Sequence, residues 1–164
     1  MPFSQFPDDA YFRAFVVDRP LDEEQVRQAT TLIEGFLASW DSHGRILPSG
    51  WTIAHGQVLL FAADTTQVPM KGCSGDALFG LLSQLEVALG VQIPATAPVV
   101  HHGPGGLVCT ERPHFGELIR SGFVDGDTVV IDLTLASVGD LRARGFEMPA
   151  RDCWHAKAWG ALAT

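Results

Sequence analysis

The chain has 164 residues, 46% of them hydrophobic, with a formal net charge of −8 and a pI near 5.0. That size and apolar content suit one domain with a real core and exclude a disordered chain. The acidity, with no Lys/Arg cluster anywhere, excludes a nucleic-acid backbone as partner.

The opening residues lack the basic-then-apolar pattern of a secretory signal, and no apolar run approaches the roughly 20 residues that cross a bilayer. No membrane partner is therefore expected. Cys73, Cys109 and Cys153 are odd in number and widely spaced, with no Cys-x-x-Cys pair. That is neither a disulfide framework nor a zinc ribbon, and it points to a reducing, cytoplasmic compartment.

In chain order, 11–17 is rich in aromatic and β-branched residues and reads as a strand. Asp22 is a good N-cap, with Glu23 and Glu24 in the first turn where the helix dipole favours them. Val26, Ala29, Ile33, Phe36, Leu37 and Trp40 follow at helical spacing, and His43-Gly44 sits where a C-terminal cap belongs. Strands 51–54 and 57–63 flank His55-Gly56, a hairpin signal. The loop 64–76 feeds a helix over 76–89, closed by Gly90, and 97–102 reads as another strand. Beyond it come a Gly-Pro-Gly-Gly turn, a strand at 107–110, a short helix at 113–121 and an alternating strand at 128–135. A capped helix at 137–144 and a helical tail at 150–159 complete the chain.

This order predicts an α+β fold. A ferredoxin-like split β-α-β core (βαββαβ) over about 10–103 carries a C-terminal α/β extension over about 104–164, as a single domain. In that topology the connections 40–44, 64–76 and 101–106 share one edge of the sheet, and His55 lies in the opposite hairpin.

Three stretches, Trp40-Asp-Ser-His43-Gly44, Gly72-Cys73-Ser74-Gly75-Asp76 and Pro149-Ala-Arg-Asp-Cys-Trp154-His155, resemble together a family of small bacterial proteins. That family is uncharacterised but often labelled "ABC transporter ATPase". Its members more often have Ala before the His-Gly pair and a larger residue at the Gly75 position. The resemblance implies no activity, cofactor or catalytic residue. The label itself fails, because a nucleotide-binding cassette needs Gly-x-x-x-x-Gly-Lys-Ser/Thr and Lys71 precedes the glycines here.

The shared edge is the candidate site. Most simply, the protein is a non-enzymatic accessory protein, binding a small anionic ligand or a protein partner there. Lys71, Gly72, Ser74 and Gly75 at a helix start would supply N–H groups and one charge, with His101 and His102 at the rim. Asp64 and Asp76 oppose an anion, and the bland alternative is a plain connection. The competing reading is a small thiol- or metal-dependent enzyme. In it Cys73 is the nucleophile or a ligand, His43 the base, and Asp64 or Asp41 the orienting carboxylate. Cysteine is among the most buried residue types, so packing is the default role for Cys73. No metal site is assigned, because no ligand spacing is recognisable, and no cofactor is expected. Homo-oligomerisation is expected, as aromatic-rich small domains often hide apolar surface in that way.

Overall fold

The chain is α+β, as expected, and is built in four layers. The computed structural model describes residues 1–70, 72–94 and 96–163. The first sheet holds β1 (Tyr11–Val16), β5 (Val58–Ala63) and β4 (Ser49–Ala54), antiparallel in the order β1-β5-β4. All six residues of β5 are buried, because both of its faces are covered. Leu59, Phe61 and Ala63 pack against two helices, α1 (Glu23–Leu37) and α2 (Gly72–Leu89). Val58, Leu60 and Ala62 pack against the other half of the chain, with Val100, Ile131 and Leu135. A strand covered on both sides reads as an unbroken apolar run, which is what 58–63 is.

The second sheet contains β6 (Val99–Gly103), β7 (Gly106–Thr110), β8 (Val129–Ile131) and β9 (Glu147–Pro149), all antiparallel in the order β7-β6-β8-β9. Its outer face is covered by α3 (Arg112–Arg120) and the tail helix α5 (Trp154–Ala158), around Phe115, Val130 and Leu162. The short helix α4 (Val138–Arg144) begins on Ser137, whose hydroxyl accepts from the Asp140 N–H at 3.0 Å.

Several expectations are corrected. Within the first sheet β1 and β4 flank β5, the split β-α-β pattern, but the fourth strand does not pair on β1. The segment containing His101 and His102 is an interior strand of the second sheet, with Val99 and Val100 buried on its opposite faces. Its two edges are taken by β7 and β8, leaving none for β1. The outer edge of β1 instead meets 136–138, where Phe12 N–H donates to Ala136 O and Val138 N–H to Ala10 O, both at 3.0 Å.

The helix α1 opens on a capping box, with Gln25 N–H donating to Asp22 Oδ1 at 2.8 Å and Asp22 N–H to Gln25 Oε1 at 3.1 Å. It ends at Leu37, so His43-Gly44 is no helix cap. The pair is instead the turn of a small hairpin, β2 (Asp41–Ser42) and β3 (Arg45–Ile46). The strand expected over 128–135 stops at Ile131, because Asp132 Oδ1 accepts from the Thr134 N–H at 2.9 Å and turns the chain.

Candidate functional site

The loop at 41–44 and the start of α2 do come together. Trp40, freed from the helix, is fully buried, and its Nε1–H donates to Ser74 O at 2.9 Å. Ser74 is itself buried, and its hydroxyl donates to Asp41 O at 2.8 Å. Ser42 Oγ donates to Pro69 O at 2.7 Å, tying the hairpin to the chain that leads into α2. These bonds fix the two walls of an open cleft of about 430 Å³, lined by Trp40, Asp41, His43, Cys73, Ser74 and Ala77 among others.

His43 and Gly44 take φ angles of 56° and 74°. Two left-handed residues in succession are what a tight hairpin turn with the native strand twist requires. Histidine is one of the few non-glycine residues found there with any frequency. The Asp41 carboxylate closes the turn by accepting from Gly44 N–H at 2.9 Å. His43 is thereby held exposed at the cleft mouth, and Cys73 is exposed opposite it on the first turn of α2. No hydrogen bond joins the two. By contrast Cys109 is half-buried and Cys153 buried, and burial pushes both thiols up.

The other expected site residues are placed differently. α2 starts at Gly72, four residues earlier than the pattern suggests, so Gly72, Ser74 and Gly75 are helical. Nothing lies within 4 Å of a Cβ added at Gly72 or Gly75, so no close approach demands glycine at either. Lys71 lies outside the described residues. Asp64 is not in the cleft: its Oδ1 accepts from the Thr66 hydroxyl at 2.6 Å and the Thr66 N–H at 2.9 Å. Those two bonds hold its carboxyl below the usual range and leave it orienting its own turn.

His101 and His102 leave the candidate edge altogether. β4 and β5 separate the two ends of the first sheet by about 20 Å of strand. The cleft lies at the end where β4 begins, and the histidines lie with the second sheet. His101 is buried against Phe115, with Nε2 3.3 Å from Thr110 Oγ1 and Nδ1 3.2 Å from His102 O. Burial lowers its pKa and favours the neutral ring. His102 points to the opposite face and meets His55, expected in the hairpin at the opposite edge. The Nε2 atoms of His55 and His102 lie 2.7 and 2.8 Å from the same oxygen, Oε1 of Glu147. The two rings stand edge to face, 5.2 Å apart and 88° to one another. Glu147 carried no signal in the sequence, because a three-residue strand ending in proline has no readable period.

Among the described residues no helix is long and apolar enough to cross a membrane. Compared with protein-family models, curated proteins and solved structures, the chain matches none.

Proposed function

We propose that the protein is a non-enzymatic accessory protein that binds a small anionic ligand in the cleft between the β2–β3 hairpin and the first turn of α2. The observation that carries this reading is the cleft's preformed wall, built from the Trp40–Ser74, Ser74–Asp41 and Ser42–Pro69 hydrogen bonds. Walls fixed before binding reduce the ordering cost that a ligand must overcome. The start of an 18-residue helix adds N–H groups that have no partner within the helix, and the positive end of its dipole. Asp41, an acidic residue that lines the cleft, already has a donor in Gly44 N–H.

The thiol-enzyme reading is less well supported. A cysteine nucleophile needs a base within hydrogen-bond reach, and Cys73 has no such bond to His43. We infer, independently of that choice, that the first half is a ferredoxin-like split β-α-β unit that lacks its fourth strand. The three free cysteines suit a reducing, cytoplasmic setting.

Backbone amide NMR during titration with inorganic phosphate, then with a nucleoside triphosphate, tests the proposal. Shifts are expected at 41–44 and 72–77, and Ala77→Phe, at an exposed cleft position, should abolish them. Silence at those residues with both anions would overturn it. Alkylation of Cys73 by iodoacetamide that is already maximal well below pH 8 would instead favour the enzyme.

A further inference from the structure

At the opposite end of the first sheet, three side chains from three separate elements point at one place. His55 lies in the turn between β4 and β5, His102 in β6 and Glu147 in β9. One ligand atom from each lies within 4.8 Å of the other two. Both imidazoles present Nε2 to a single carboxylate oxygen, so without an ion each ring must carry its proton there to make a hydrogen bond. A divalent ion replaces both protons and takes all three groups as ligands. Metal–nitrogen and metal–oxygen bonds of about 2.0–2.2 Å place neighbouring ligand atoms roughly 3–3.5 Å apart. The His–Glu separations of 2.7 and 2.8 Å need to open by only a few tenths of an ångström to reach that, and the two imidazole ligand atoms, within 4.8 Å of each other, need to come to the same range.

The ligands sit on supported backbone. His55 is held at φ 54° and Gly56 at φ 63° in a two-residue turn, whose Gly56 carbonyl accepts from Leu21 N–H at 2.8 Å. His102 is paired in register with Leu107, and Glu147 with Ile131. The three side chains are 39%, 37% and 33% exposed, so an ion can reach them and water can fill its remaining positions. Two imidazoles and one carboxylate suit a borderline ion such as Zn(II) or Co(II). They suit less well the all-oxygen preference of calcium and magnesium, or the thiolate preference of Cu(I).

We propose that His55, His102 and Glu147 form a binding site for one divalent transition-metal ion of the zinc class, joining the β4–β5 turn to the second sheet. The site is independent of the cleft and of any ligand bound there. Because the ion bridges two sheets, it also holds them together.

Calorimetric titration with Zn(II) and the visible absorption of Co(II) test this on the whole chain. One ion per chain is expected, with weaker binding on acidification as protons compete for the imidazoles. Glu147→Gln and His55→Asn should each weaken binding by about 10- to 100-fold or more, the cost that even outer partners of a metal site carry. Asparagine tolerates the left-handed turn, so His55→Asn removes the ligand and keeps the hairpin. Cys73→Ser and His114→Ala, the latter at an exposed position of α3, should bind like the parent. Absence of Zn(II) and Co(II) binding overturns the proposal and leaves a hydrogen-bonded trio. So does binding that survives both ligand substitutions in folded protein.

Discussion

Two His-Gly turns in this chain have nearly the same backbone and opposite surroundings. His43-Gly44 and His55-Gly56 both close two-residue hairpin loops with φ angles between 54° and 74°. His43 stands at the mouth of a cleft, beside a cysteine with which it shares no hydrogen bond. His55 meets a second histidine and a carboxylate brought from 47 and 92 residues away. The local motif sets where the ring is displayed, and only the tertiary neighbours give it chemistry to do. His43 reads as the rim of a preformed pocket and His55 as one ligand of three.

The largest effect that would break this contrast lies behind the cleft. Trp40→Ala removes a fully buried indole and the bond to Ser74, and should cost about 3–5 kcal/mol in urea unfolding. It should also erase the phosphate-dependent shifts while leaving Zn(II) binding intact in protein that remains folded. A loss below about 1 kcal/mol would mean that the cleft wall is not held in this way.

A third histidine sharpens the comparison, since its neighbours exclude charge. His155 is buried between Trp154 and Trp159, with neither ring nitrogen hydrogen-bonded. Burial pushes its pKa from the ordinary 6.5 down to about 4, with Asp132 opposing and Arg112 assisting. The unfolded chain therefore binds this proton more readily than the folded one. Stability is complete above about pH 6.5 and falls as the pH drops towards 4, by on the order of 3 kcal/mol. His155→Phe should flatten that part of the stability–pH curve, and an unchanged slope would remove the assignment.

Smaller still are the paired substitutions Gly44→Ala and Gly56→Ala. Each forces a Cβ into the left-handed region and should cost about 1–2 kcal/mol. Their costs should match but their consequences should not, with Gly56→Ala weakening Zn(II) and Gly44→Ala perturbing only the cleft. His43→Ala, at an exposed turn, should change stability by less than about 0.5 kcal/mol.

The first half of the fold was legible where one local rule acted alone. The Asp22 cap, the buried run of β5 and the His55-Gly56 hairpin all follow from short-range chemistry. The order of β1, α1, β4 and β5 suggests a split β-α-β unit, and the three strands lie side by side as β1-β5-β4. The fourth strand could not be read, because whether 97–102 joins the first sheet depends on partners at 106–110 and 129–131. Misplacing it moved His101 and His102 to the wrong end of the molecule. The cleft was legible because 40–44 and 64–76 are connections at the same end of neighbouring strands. The trio at Glu147 was not, since its three members share no period, spacing or element.

Histidine-ring NMR of the whole chain during a Zn(II) titration tests the distinction between the two turns most directly. The account predicts that the Nε2 resonances of His55 and His102 move together by one equivalent while those of His43 stay fixed. Movement of His43 with Zn(II), or stationary His55 and His102 rings, would contradict it.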